Sequence, residues 1–276
     1  MRTLYLSDLD GTLLRADQSI SEYTAATINR FVRSGGCFSY ATARSIVTAS
    51  KVTTKLDTNF PVICYNGVFT IENQTREIIA SHFFTAEDAA SISTTLHTRG
   101  IYPIVYAYVD GEECFSYIER FITLAARAFI SSRAGDPRHR AVQTVEELYA
   151  GDIFYFTCLD TVAEMSVIYD IFREDSRCCT LYSKDVYSDA QFCELIPAKA
   201  SKATAALQLK SILGCDRIVA FGDGSNDISL FSIADECYAM ANAVPELKTI
   251  ATAVIDSNDN DGVAKWLEEN VMTTGR

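Results

Sequence analysis

Three observations predict an α/β protein: a core built on a parallel sheet covered by helices, and an α+β domain inserted into it. Apolar runs alternate with helical stretches over the opening residues, as in Leu4-Tyr5-Leu6, Cys37 to Tyr40 and Pro61 to Tyr65. The middle of the chain changes to alternating, hairpin-like runs. From Gln191 onward, strand and helix signals alternate again. At 276 residues with 48% hydrophobic side chains, the chain exceeds the usual one-domain length and can bury a sizeable core. The expected division is 1-84 with 191-276 for the core and 85-190 for the insertion.

Each element has its own signal. After the opening strand, Ser19 or Ser21 can cap a helix whose apolar positions Tyr23, Ile28, Phe31 and Val32 recur at helical spacing until Gly35-Gly36. The strand Cys37 to Tyr40 ends in Ala41-Thr42-Ala43-Arg44, and a helix follows from Ser45 to about Leu56. Pro61 to Tyr65 reads as a buried strand ending in Asn66-Gly67. Thr85 with Asp88 forms a capping box for a helix running to Arg99. Tyr102 to Val109, the Asp110-Gly111 turn and Glu113 to Tyr117 read as an antiparallel hairpin. A helix over Glu119 to Arg133, a strand Ile153 to Cys158, a helix Val162 to Arg173 and the run Cys179 to Tyr182 complete the insertion. Its basic stretch Ala134 to Arg140 reads as a solvated turn. Phe192 to Ile196 is expected to restart the parallel core. A helix led in by Lys199 to Lys202 and ending at Gly214 comes next, then the strand Arg217 to Phe221 running into Gly222-Asp223-Gly224-Ser225-Asn226-Asp227. A last strand at Ala253 to Ile255 and a helix from Asp261 close the pattern.

The formal charge of -12 arises from dispersed acidic residues with no basic run, which argues against nucleic acid as a partner. No apolar run reaches the length that spans a membrane. Nine cysteines without CxxC pairs, and a start lacking a signal-peptide pattern, point to reduced thiols and a cytoplasmic location. Cys178-Cys179 read as packing residues on opposite faces of a strand. The three histidines lack metal-ligand spacing.

The chemistry concentrates where strands end. In extended chain, residues two apart point the same way, so Asp8 and Asp10 would crowd their charges and want a cation; taken alone, Asp-Gly there is equally a hairpin turn. Thr42 lies at a strand-to-helix corner where backbone amides can bind anions. Asp223 with Asp227 lies at another strand end, and Lys202 lies at a helix start, with Lys199 as its rival. Several carboxylates and no histidine describe a site for a hard cation such as Mg²⁺, which shares its shell with phosphate. An aspartate so neutralised can attack phosphorus.

These segments resemble the haloacid dehalogenase superfamily of phosphohydrolases, in its Cof-type, sugar-phosphatase-like branch. DLDGTLL is similar to the first motif, SYATAR to the second, the Lys202 segment to the third and GDGSNDISLF to the fourth; YNG at Tyr65 to Gly67, AMANA at Ala239 to Ala243 and DGVA at Asp261 to Ala264 also fit. The resemblance implies a Rossmann-like three-layer α/β/α core with a type IIB α/β cap as the substrate-specificity domain. It implies Asp8 as nucleophile and Asp10 as the acid, then base. It assigns Mg²⁺ to the Asp8 carboxylate, the Asp10 carbonyl and Asp223, with Asp227 steadying or joining the shell. Thr42, the Ala43 amide, Lys202 and Asn226 would cradle the phosphoryl group. The expected activity is hydrolysis of small phosphorylated metabolites through an aspartyl-phosphate, by a monomer or homodimer.

The chain departs from the family's glycines at Ala43, Ala203 and Ala241, and Val68 is bulkier than the usual alanine. Lost access to positive φ at Ala43 would alter the phosphate loop. These departures motivate one alternative, a weakly active metabolite-binding or regulatory protein on the same fold; the other is phosphomutase-type transfer, as in a phosphomutase of related cap type.

Overall fold

The computed structural model describes residues 1–57 and 60–273. They form two compact units, Met1–Ser81 with Ala200–Arg276 and His82–Lys199. The chain therefore crosses between units three residues before the expected first boundary and nine after the second.

The first unit begins with β1 (Thr3–Ser7), α1 (Glu22–Arg33), β2 (Cys37–Tyr40), α2 (Ile46–Val52), β3 (Val62–Cys64), β4 (Phe69–Ile71) and β5 (Ile78–Ser81). The second holds α3 (Ala86–His97), β6 (Ile104–Val109), β7 (Glu112–Tyr117), α4 (Leu124–Ser131), β8 (His139–Ala141), α5 (Val145–Leu148), β9 (Asp152–Asp160), α6 (Val162–Phe172), β10 (Cys178–Lys184) and β11 (Gln191–Pro197). The first unit is completed by α7 (Lys202–Ile212), β12 (Arg217–Gly222), α8 (Ile228–Phe231), β13 (Glu236–Met240), α9 (Pro245–Ile250), β14 (Ala253–Ile255) and α10 (Gly262–Leu267).

The core sheet is parallel throughout, in the order β14-β13-β12-β1-β2. β1, which lies between β12 and the edge strand β2, is covered on both faces. Leu4 and Leu6 are fully buried, while Tyr5 on the opposite face packs edge-on against Phe31 of α1 and beside Trp266 of α10. Double coverage explains why the opening run is apolar without alternation. After β1 the chain builds β2 to one side, and later β12, β13 and β14 to the other. The reversal leaves a crevice at the carboxyl end of β1, where parallel α/β sheets bind ligands. Ser21 caps α1 by accepting from Thr24 N, and Ser45 caps α2. β3 departs from the expected parallel pattern: it meets the end of β2 only through a bridge between Ala41 and Ile63, and otherwise pairs antiparallel with β4.

The second unit is a six-stranded sheet, β10-β11-β9-β6-β7-β8. Three expectations fail here. Phe192 to Ile196 does not rejoin the parallel core, because β11 pairs antiparallel with both β9 and β10. The reason is legible in its burial: Cys193 and Leu195 are sealed in the core of this unit, while Phe192 and Glu194 alternate outward, the signature of a one-sided strand. The helix expected over Glu119 to Arg133 is split, because Thr123 caps a new start by accepting from Ala126 N. Ala134 to Arg140 is not a solvated turn: Arg138 is buried between Asp136 and Glu113, at 2.6 Å from each. The hairpin of β6 and β7 and the Thr85 cap form as expected. All nine cysteines are free thiols, and no helix among the described residues is long and apolar enough to cross a membrane.

Burial pushes the Glu194 carboxyl from its ordinary 4.5 up to about 7, against hydrogen bonds from Tyr155 and Thr157. Between those values the folded chain holds a proton that the unfolded chain releases, so stability falls as pH rises through this window. Part of the residue's surface still meets solvent, which makes the loss smaller than full burial would impose. Glu194→Gln should melt a few degrees above the wild type at pH 8, with the difference closing toward pH 5. An equal difference at both pH values would show that Glu194 does not titrate in this range.

Candidate active site

β1 ends at Ser7, and the chain turns at once, with the amides of Thr12, Leu13 and Leu14 all directed at the Leu9 carbonyl. This turn parts the two aspartates that an extended strand would have kept together. Asp8 points into the sheet crevice and is 5% exposed. Asp10 instead receives the Arg44 guanidinium in a bidentate pair, Nε to Oδ2 at 2.8 Å and Nη2 to Oδ1 at 2.5 Å. The crowding expected from period-two geometry is supplied instead by Asp223 and Asp227. Asp8, Asp223 and Asp227 each present an oxygen within 4.8 Å of the others.

Lys202 sits in the middle of this charge. Its ammonium is 2.5 Å from Asp8 Oδ1 and 2.6 Å from Asp227 Oδ1, and its side chain is fully buried. Ser201 caps α7 by accepting from Thr204 N, which fixes Lys202 as the first residue of the helix. Lys199 is exposed and belongs to the other unit, so Lys202 is the lysine of the site. Burial opposes its charge, but Asp227 and Asp8 more than offset that and hold it protonated well above the ordinary lysine value. The carboxylates are under the opposite pressure. Burial pushes Asp8 well above the usual range, with Asp227, Asp223 and Asp10 adding to the rise and Lys202 working against it. Asp223 is pushed up to about 7, chiefly by burial and then by Asp227. Three carboxyl groups share one ammonium; ionising all of them would leave two negative charges in excess, and hard oxygen donors under that pressure suit a divalent cation.

Asp227 has little capacity left for a metal. Its Oδ1 accepts from Lys202, and its Oδ2 accepts from the amides of Asp223 and Gly224 at 3.0 and 3.1 Å. Its place in the cluster therefore favours steadying the site over ligation. Asp223 is oriented by Thr12, whose hydroxyl donates to Oδ1 at 2.9 Å. Gly11 makes the approach possible: it has φ +76°, and a Cβ there would lie 2.2 Å from Asp223 Oδ2. The AMANA and DGVA segments hold this loop from behind. Asn242 donates to the Gly11 carbonyl, and Asp261 pairs with Arg15.

The second arm is built on β2. Thr42 is fully buried, and its hydroxyl accepts from Arg44 N at 3.1 Å, while Ala43 is exposed. Asn226 donates to Asn66 Oδ1 at 3.0 Å, and Asn66 N donates to the Thr42 carbonyl. Thr42, Asn66 and Asn226 are thus linked in one chain of bonds, as are Asp8, Lys202, Asp227 and Asp223 in another. Arg44, Thr12 and Asn66 were not singled out by sequence reasoning as site residues; Arg44 stands inside the second motif and Asn66 inside YNG, where either could have been noticed. Ala43, Ala203 and Ala241 all have negative φ, so no backbone strain follows from replacing glycine at these positions. Val68 is wholly buried.

Comparison with known proteins decides the family: residues 5–267 match the haloacid dehalogenase-like hydrolase family. The chain belongs to that family. It is a Cof-type member and a phosphatase by the company it keeps. Two Bacillus subtilis (strain 168) relatives, YitU and YwtE, both named 5-amino-6-(5-phospho-D-ribitylamino)uracil phosphatase, are 24% and 27% identical to it. Each alignment covers 95% of this chain, with 95% and 96% of the relative. A solved haloacid dehalogenase-like hydrolase from B. subtilis shares the fold with a TM-score of 0.80 at 20% identity, covering 98% of this chain and all of that one. In this hydrolase the motif segments meet at one crevice because they lie at the ends of β1, β2 and β12 and at the start of α7.

Gly11→Ala should cut phosphatase activity at least about a hundredfold, since it displaces Asp223 and forces alanine into a left-handed backbone costing about 1–2 kcal/mol. Turnover at the wild-type rate in Gly11→Ala would show that Asp223 is not needed where it stands.

Proposed function

We infer that this phosphatase is Mg²⁺-dependent and hydrolyses small phosphorylated metabolites, sugar phosphates or similar phosphomonoesters, through an aspartyl-phosphate. The observation that carries this reading is the buried Asp8 carboxylate, held at 2.5 Å by Lys202 beside Asp223 and Asp227.

The residues divide the work. Asp8 attacks phosphorus as the ester P–O bond breaks, and Asp10 delivers a proton to the leaving oxygen. Asp10 then takes a proton from water, which attacks the aspartyl-phosphate, frees inorganic phosphate and restores Asp8. Arg44 fixes the Asp10 carboxylate, so each proton transfer exchanges one of its bonds for a bond to the reacting oxygen. Lys202, Thr42, the Ala43 amide and Asn226 bind the phosphoryl oxygens, and Lys202 also meets the charge that develops on them in the transition state. Asp8, the Asp10 carbonyl and Asp223 would hold Mg²⁺, with Asp227 behind them. When bound, the cation neutralises the excess charge and polarises the phosphoryl group. The uncatalysed reaction is among the slowest known, with accelerations up to roughly 10²¹-fold, so no single group suffices.

We assign the choice of leaving group to the unit His82–Lys199, which is inserted in the sequence between the second and third motifs. The two B. subtilis relatives carry the name of a phosphatase for a phosphorylated ribityl compound, which puts phosphorylated sugar alcohols among the first substrates to try. Free thiols throughout suit a reducing cytoplasm.

Purified protein with Mg²⁺ should release phosphate from members of a panel of sugar phosphates, sugar-alcohol phosphates, nucleotides and p-nitrophenyl phosphate, and Asp8→Asn should lose that activity. Background release across the panel, or full activity in Asp8→Asn, would sink the reading. Millimolar Mg²⁺ should raise the melting temperature of the wild type by several degrees and leave that of Asp223→Asn unmoved; calorimetry of the unfolding transition reads the difference directly.

A further inference from the structure

Three consecutive residues after β3 adopt the left-handed conformation: Tyr65 at φ 51°, Asn66 at φ 55° and Gly67 at φ 99°. Glycine does so freely and asparagine tolerates it, but a bulky aromatic residue there is an outlier. Such outliers persist only when their surroundings over-determine them, and they cluster at functional sites. What holds this turn is specific. Tyr65 N donates to the Arg44 carbonyl at 3.0 Å, and Asn66 N donates to the Thr42 carbonyl at 2.9 Å. The Asn66 side chain, 2% exposed, accepts from Asn226 Nδ2 at 3.0 Å. Gly67 lies so close to the cap of α7 that a Cβ would sit 2.1 Å from the Ser201 carbonyl.

One turn therefore touches three segments that are distant in sequence and that each carry a group assigned to phosphate: the Thr42 loop, the Asn226 turn and the start of the Lys202 helix. A plain connection between strands needs none of these contacts. An amide nitrogen has two hydrogens, and fixing one fixes the direction of the other.

We propose that Asn66 is a positioning residue: its carboxamide sets Asn226 so that the second amide hydrogen meets a phosphoryl oxygen, while the turn's backbone ties the Thr42 loop and α7 to the same frame. This rests on the phosphatase reading above. Asn66 itself touches no reacting atom.

The rival explanation is that asparagine stands here only because it tolerates the backbone, and glycine separates the two. Asn66→Gly keeps the left-handed turn at no steric cost and removes the carboxamide that accepts from Asn226. With Mg²⁺ and p-nitrophenyl phosphate, Asn66→Gly should raise KM and the inhibition constant of inorganic phosphate about tenfold, with kcat changed less than about threefold. Asn226→Ala should behave alike, and the double variant should be no worse than about twofold beyond the weaker single variant, since both remove one interaction. Wild-type KM and phosphate inhibition in Asn66→Gly would overturn the proposal, as would losses that multiply in the double variant. A wild-type protein that neither turns over the ester nor binds inorganic phosphate by calorimetry would overturn the phosphatase reading and this inference with it, an outcome distinct from an active wild type with independent variants.

Discussion

The ammonium of Lys202 between Asp8 and Asp227 is the contact on which the rest of the site depends. Burying a carboxylate costs several kcal/mol unless the charge is met, and three carboxylates converge here. One lysine, itself fully buried, meets two of them. Removing it would leave the aspartates facing one another in a poorly solvated crevice, and removing either partner would strand the lysine. The remaining excess of negative charge is what makes the crevice receptive to a divalent cation and, through it, to phosphate.

The geometry around that contact is held mainly by backbone and amide groups, with few long flexible side chains. Asp227 receives two amides, Asn242 holds the Gly11 carbonyl, Asn258 holds the Leu14 carbonyl and Val244 N donates to the Asp223 carbonyl. Short side chains lose little rotamer entropy on being fixed, so such a frame is rigid at low cost. It also places the motif residues at the point where strand order reverses, so the sheet's own connectivity makes the crevice.

Much of this was legible in the sequence, for identifiable reasons. Continuous apolar runs mark strands covered on both faces, and the opening strand, the helix beginning at Lys202 and the Asp223 turn all lie where their residues suggested. Asp10 shows where local reasoning stops. The two-residue period holds only while the chain stays extended, and the turn at Leu9 sends its carboxylate to Arg44. Phe192 to Ile196 is apolar enough to suggest the parallel core, but Glu194 in the middle of the run marks the alternation of a one-sided strand. Asp136 meets Arg138 within the turn itself, but Glu113 reaches it only through the pairing of β7 and β8, which is why a linear reading takes Arg138 for solvated. Thr12, Arg44 and Asn66 act through contacts with residues far along the chain or through an unusual backbone, neither of which a linear pattern displays.

The chain leaves the core after Ser81 and returns at Ala200, two residues before Lys202. In polymer terms the whole second unit is a loop closed by the core, and the entropic cost of closure grows only logarithmically, about 0.6 kcal/mol per doubling of length. The core is therefore nearly indifferent to how long the excursion is, provided its two ends stay fixed by β5 and α7. Selection can remodel everything between those ends, in size and in surface, while the lysine that completes the charge cluster returns to the same place.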